Sequence, residues 1–304
     1  MNRLLQRFVY RFSNCARTAA VCLFILFLFL CLPTQAHGEG WVFFRSEIPL
    51  HMDTIKYLKS QCSHPLVFCP VGKTSFSFIE SHPPEFVVVL GDAALQLALT
   101  MLWKVPILVS LVDHPPTDSR IVFLDTQQPY AMQIQLLKKL MPAMDTIWYP
   151  YVSERLAPCH CLKQAVASAG IRINSHRLND PRTLPGALRK LAEQTTAIIF
   201  PPDPGIMNNA IIQSIFLASF RSKTPAVSFS EALVKRGAIF AYVLSPENLA
   251  ASISEIIDEV LVNGQPQNSK RVFEHWELIL NMTILEKFKL PISDQIRDAA
   301  KKLF

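Results

Sequence analysis

Residues 197–232 read AIIFPPDPGIMNNAIIQSIFLASFRSKTPAVSFSEA. Two short apolar runs, 197–200 and 226–229, are hydrophobic on both faces, as strands covered by helices on both sides should be. Between them Ile211, Ile212, Ile215 and Phe216 fall on one face of a helical segment spanning 206–220. The turn at 201–205 carries three prolines and a glycine. Strand, loop, helix and strand in this order argue for an α/β fold with parallel strands.

The same alternation extends in both directions. Further strands are expected at 41–44, 66–69, 86–90, 107–112, 121–124, 146–149, 171–173, 238–243 and 278–281. The clearest helix runs from 246 to 263, with Leu249, Ile253, Ile256, Ile257, Val260 and Leu261 on one face. Ser245 suits its N-cap, Pro246 its first turn and Gly264 its stop. A second apolar stripe, Met132, Leu136, Leu137 and Leu140, marks a helix over 130–141. Eleven strands are many for one open sheet in a chain of this length, so two sheets in two lobes are expected.

Residues 1–36 predict export. Arg3, Arg7, Arg11 and Arg17 flank or precede a 14-residue apolar run, 19–32, and Ala36 closes a small-residue exit, with no Asp or Glu before Glu39. This is the pattern of a secretory signal, with mature protein beginning near His37. An uncleaved anchor is the alternative; a lipid on Cys31 fits poorly, because Leu30 precedes it. A chain folded outside the cytoplasm is a poor candidate for most ATP- and NAD-driven enzymes. The formal charge of +6 includes the four arginines of this segment and no acid, leaving about +2 for the rest, so nucleic-acid binding gains no support. With 9 glycines and 22 prolines, the chain lacks the composition of a disordered one.

Four cysteines lie beyond the signal. Cys62 and Cys69 are expected near each other, close enough in sequence for a disulfide across a helix-to-strand turn. Cys159-His160-Cys161 has metal- or redox-type ligands, but no distant fourth ligand has a recognisable spacing. The pair is expected to stay uncrosslinked, because a two-residue spacing closes a strained ring.

Ligands of open α/β sheets bind beyond the carboxyl ends of strands. The loops there carry Asp92, Asp113 with His114, Tyr151 with Ser153, Asp203 and Ser230, a polar ring around a cleft. Asp92, Ser153, Asp203 and Ser230 are each also plausible as helix N-caps. Catalytic patterns are weak. Val71-Gly72-Lys73-Thr74 lacks the earlier glycine of a phosphate loop, since Val67 stands there. There is no Gly-x-Ser-x-Gly elbow and no His-Glu-x-x-His helix in the sequence. A hydrolase built on Ser110, His114 and Asp113 is a third-ranked reading. No cofactor and no metal are expected.

Phe200-Pro-Pro-Asp-Pro-Gly-Ile-Met-Asn-Asn, then Lys223-Thr-Pro-Ala-Val-Ser-Phe-Ser, then Val234-Lys-Arg-Gly-Ala-Ile-Phe-Ala-Tyr resembles the ABC-transporter substrate-binding family typified by tryptophan and tyrosine binders. Leu280-Asn281, Leu290-Pro291-Ile292 and Ala299 are similar to its closing segment. Val89-Leu-Gly-Asp-Ala-Ala, Lys104-Val-Pro-Ile and Leu111-Val-Asp-His-Pro follow its first-lobe pattern more loosely. Asp92 departs from it, standing where a small uncharged residue is common, and the glycine-rich connection near the first crossover is absent. These departures mark a divergent branch. The resemblance implies a type I periplasmic binding protein: two Rossmann-like lobes with parallel sheets, joined by a three-stranded hinge that closes on a ligand. It puts 40–120 and 242–265 in lobe 1, and 121–241 and 266–304 in lobe 2. It also implies that Gly91, Asp92, Ala93 and Asp113 line the first lobe, and Tyr151, Asp203 and Ser230 the second. The expected function is capture of a small organic solute, such as an amino acid, for an ABC permease or another inner-membrane protein. A sensory or accessory version of the fold is the alternative.

Overall fold

The computed structural model describes residues 39–72, 83–101, 104–112, 117–154, 157–178, 184–190, 196–263 and 270–304. The expected signal segment, Lys73 and Thr74, Asp113 and His114, and Gly264 lie outside them. The chain begins β1 (Gly40–Phe44), α1 (Pro49–Gln61), β2 (Leu66–Pro70), β3 (Phe86–Leu90), α2 (Asp92–Thr100), β4 (Ile107–Ser110) and β5 (Ile121–Asp125). It continues α3 (Tyr130–Leu140), β6 (Thr146–Tyr151), α4 (His160–Ser168), β7 (Arg172–Arg177), α5 (Leu184–Lys190), β8 (Thr196–Ile199), α6 (Asn209–Ser222), β9 (Ala226–Ser228), α7 (Glu231–Arg236) and β10 (Phe240–Val243). It ends α8 (Pro246–Asn263), β11 (Lys270–Val272), β12 (Glu277–Leu280), α9 (Met282–Lys287), α10 (Asp294–Asp298) and β13 (Ala300–Leu303).

Two separate sheets form, ordered β11-β5-β4-β3-β1-β2 and β13-β12-β10-β9-β8-β6-β7. Only β12, against β10, runs antiparallel among the described pairs. Strand side chains alternate between faces, and both faces of the central strands are buried. In the first sheet Val42, Val88 and Leu124 pack under α1 and α8 through Ile55, Leu58, Leu249 and Ile253. Trp41, Phe43, Val87 and Val109 pack on the other face, against Ala94, Leu95 and Ala98 of α2. In the second sheet Ile147, Ile199 and Val227 meet α3, α4 and α9, while Trp148, Ile198 and Ala226 meet α6 and α7. Burial on both faces is why the central strands read as unbroken apolar runs.

The chain passes between the sheets three times, at 126–129, 244–245 and 273–276. All three edges of the expected division therefore move, the middle one by only two residues, because β10 keeps Tyr242 and Val243 in the second sheet. β5 pairs with β4 in the first sheet, and β11 pairs with β5, whereas both segments were expected in the second lobe. The crossing begins only where the apolar run of β5 gives way to Asp125 and a Gln-Gln-Pro segment. Asp125 holds the join: its Oδ2 meets Lys270 Nζ at 2.8 Å, its Oδ1 accepts from Gln127 N at 3.0 Å, and its carbonyl accepts from Phe273 N at 2.9 Å.

Both cysteine expectations are corrected. Cys62 and Cys69 are free thiols. Cys62 packs on the α1/α8 face of the first sheet and Cys69 on the α2 face, so the sheet itself separates them. Cys159 and Cys161 are joined by a disulfide, with Cα atoms 5.4 Å apart, inside the normal span of such bonds. Cys159 has extended backbone immediately before α4, and that change of direction brings the two sulfurs together.

Candidate functional site

β5 and β10 run directly into crossovers, so the carboxyl ends of the parallel strands in both sheets border the hinge. Ligand-contacting groups of such sheets belong at these ends.

In the first sheet, β1 ends at Phe44 and Arg45 follows. The Arg45 N–H donates to His51 Nδ1 at 3.2 Å, which leaves the proton of the neutral ring on Nε2. His51 is only 3% exposed, and burial, aided by the Arg45 charge, pushes its pKa down. Its ring lies against Gly91. A Cβ there would stand 3.0 Å from His51 Cε1, and Gly91 has φ +89°, so both space and backbone require glycine. Gly91 N donates to Ser110 O at 2.9 Å, tying the ends of β3 and β4 together. Gly91 is the N-cap of α2, and no side chain caps this helix. Asp92 and Ala93 form its exposed first turn. Next to them Leu111 takes φ +58°, a left-handed conformation costly for a branched side chain and a recurrent mark of functional loops. Asp113, expected beside these residues, lies outside the described residues.

In the second sheet, Tyr151 ends β6, half-buried, its ring 6.5 Å from that of Tyr149. The Tyr149 hydroxyl lies 3.3 Å from that of Tyr130 on α3, and burial pushes the Tyr149 phenol pKa upward. Asp203 is 1% exposed. Its Oδ2 accepts from Val152 N at 2.7 Å and Ser153 N at 3.0 Å, and its Oδ1 from Gly205 N at 2.8 Å. Its carboxylate thus staples two cleft loops together, with its oxygens already engaged by backbone. Ser230 is the N-cap of α7, accepting from Leu233 N at 3.4 Å. Of the four residues with a capping alternative, only Ser230 caps a described helix; Asn208, not Asp203, caps α6.

Gly91, Asp92 and Ala93 are thus brought together on one side, and Tyr151, Asp203 and Ser230 occupy strand ends on the other. Arg45, His51 and Leu111 were missed. Arg45 could have been found, because it follows an apolar strand as the chosen residues do. His51 sits inside a helix and becomes visible only once β1 and β3 are neighbours.

The exposed carboxylate of Asp92 suits a cation, and the uncapped start of α2 suits an anion. Ser110, the nucleophile of the hydrolase reading, is fully buried and donates its hydroxyl to Leu124 O at 3.2 Å. Among the described residues no group of three or more His, Cys, Asp or Glu side chains is placed to hold a metal ion. No helix among them is long and apolar enough to cross a membrane.

Comparison with known proteins agrees with the two-sheet fold. The family model described as ABC transporter substrate binding protein matches residues 106–304. No curated protein matches the chain significantly. Among solved structures, the chain is similar to an ABC domain in complex with L-Trp from Streptococcus pneumonia, at 18% identity and TM-score 0.57, covering 88% of this chain and 100% of that one. It is also similar to the ligand-free, open form of a substrate binding protein with adhesive properties from Clostridium difficile, at 14% identity and TM-score 0.68, covering 87% and 98%. A periplasmic ribose ABC transporter protein from Conexibacter woesei matches at 14% identity and TM-score 0.56, covering 87% and 97%. At these identities the structures show a shared fold, the two-lobed periplasmic binding protein fold. With the family match spanning more than half of its length, the chain belongs to the ABC transporter substrate binding protein family.

Proposed function

We propose that the protein is the periplasmic solute-capturing component of an ABC importer, exported by its N-terminal segment, and that it delivers a small organic solute unchanged to an inner-membrane permease. The observation that carries the choice of solute is the start of α2. Asp92 places an exposed carboxylate on a helix turn that no side chain caps. A zwitterionic amino acid matches both features, its ammonium on Asp92 and its carboxylate on the first N–H groups of the helix. Gly91, Ala93 and Asp113 are assigned to the same wall, and Tyr151 and Ser230 to the facing one. Asp203 shapes that facing wall through the loops it holds. The similar structures include one in complex with L-Trp and a periplasmic ribose ABC transporter, so the choice of an amino acid rests on the start of α2.

Calorimetric titration with a panel of L-amino acids, tryptophan first, and ribose tests this. The expected result is saturable one-to-one binding of an amino acid and no heat from ribose. Ribose binding without amino-acid binding would move the solute class to sugars. Silence across the panel would remove the support for an amino-acid site.

A further inference from the structure

The Cys159–Cys161 disulfide has a placement that structural staples lack. It spans a sequence separation of two. So short a loop takes little entropy from the unfolded chain, so the bond contributes less to stability than a long-range cross-link. Both cysteines are only partly buried, and His160 between them is exposed. Their two sulfurs are not equivalent. Cys159 is the N-cap of α4, and its sulfur accepts from Leu162 N at 3.3 Å, where a thiolate would be held by that N–H and by the helix N-terminus. Cys161 instead lines a groove of about 960 Å³ beside the hinge, shared with Gln127, Gln135, Ala165, Lys270 and Trp276. Its sulfur lies 3.3 Å from Gln127 Oε1 in the first crossover. Cys69 contrasts with this pair: it is buried, and burial pushes its thiol up to about 11.

We propose that Cys159–Cys161 is an exchange-active disulfide whose substrate is a dithiol. A thiolate of the dithiol enters through the groove and attacks Cys161 Sγ. A mixed disulfide forms there, the Cys159–Cys161 bond breaks, and Cys159 leaves as a thiolate held at the start of α4. The second thiol of the dithiol then attacks its own sulfur in the mixed disulfide and releases Cys161. The dithiol ends as a disulfide, and the two cysteines gain its two electrons and two protons. A leaving thiolate met by the Leu162 N–H and the helix N-terminus is what makes the first step fast.

Dithiothreitol is the probe. The intact chain, purified without reductant, is treated with low-millimolar dithiothreitol in native buffer, alkylated, and mapped by mass spectrometry. Labelling of Cys159 and Cys161 is expected, with Cys69 unlabelled as the sign that the fold stays closed. In a Cys159→Ser variant, oxidised glutathione should leave one glutathione on Cys161. In a Cys161→Ser variant, the thiolate absorbance of Cys159 should appear at least one pH unit below the ordinary thiol value of about 8.5. The proposal is overturned if Cys159 and Cys161 are already reduced before treatment. It is equally overturned if the bond resists dithiothreitol until denaturant is added, or if Cys159 titrates at or above the ordinary value.

Discussion

Asp203 accepts three backbone N–H groups from two loops, whereas Asp92 stands exposed on the first turn of α2. Substituting each therefore has opposite consequences. Asp92→Ala should melt within about 1 kcal/mol of the parent, the worth of one favourable charge at a helix start. Its affinity for solute should fall about 30-fold to several thousand-fold, the result of losing one partner of a desolvated charge pair at roughly 2–5 kcal/mol. Calorimetry beside thermal melting checks both, and unchanged affinity would limit Asp92 to a helix-start charge. Asp203→Ala should instead lose about 3 kcal/mol or more of stability, because buried donors lose their acceptor. Denaturant titration reads it, and a parent-like midpoint would contradict the staple. His51 gives a pH signature. Its folded pKa lies below the ordinary value of 6.5, so the unfolded chain takes up its proton first as pH falls. Stability is therefore full above pH 6.5 and drains away as pH drops from there through the lowered folded value. His51→Gln should flatten that slope between pH 6.5 and 5, where the lowered carboxyls of Asp118 and Glu231 remain ionised in the folded chain. Sequence placed Asp92 and Asp203 equally at strand ends. Which one keeps a free carboxylate depends on loops fifty residues apart in the chain, and no local pattern encodes that.

Among the elements, α8 shows how much local pattern can carry. Its apolar stripe was legible, and Leu249 and Ile253 are fully buried against α1 and the first sheet. Ser245 starts it, its hydroxyl accepting from Asn248 N at 3.5 Å. Asp258 on its outer side reaches His64 Nε2 at 2.8 Å, fastening α8 to the loop after α1. Ile253→Ala should cost about 2–5 kcal/mol, the usual price of emptying a well-packed core site. A loss below 1 kcal/mol in chemical denaturation would show that this packing matters less than its burial implies. The edges were less legible. β11 is Lys-Arg-Val and β13 is Ala-Lys-Lys-Leu, short and charged strands whose side chains are largely exposed. Edge strands carry such residues because one side is unpaired, and they lack the apolar run that reveals a central strand. Missing β11 also shifted the expected third crossing, since that strand returns the chain to the first sheet after α8.

At the scale of the molecule, two sheets with separate cores are linked by three short crossovers, while packing fixes each lobe internally. Bending at 126–129, 244–245 and 273–276 can change the angle between lobes without disturbing either core. The α/β class was legible because nearly every central strand is apolar on both faces, and the two lobes because eleven strands are many for one open sheet. The crossing points came from family resemblance and needed correction, since a crossing is a change of sheet and not of composition. Solute capture by lobe closure should reduce the radius of gyration in small-angle X-ray scattering when a binding amino acid is added, and heat of binding without compaction would argue against closure. The most direct measurement is native mass spectrometry of the chain purified from its own host without refolding. The account predicts one small organic solute retained per chain and lost from Asp92→Ala. A chain that emerges bare, and gains no mass when L-amino acids are added back, would contradict it.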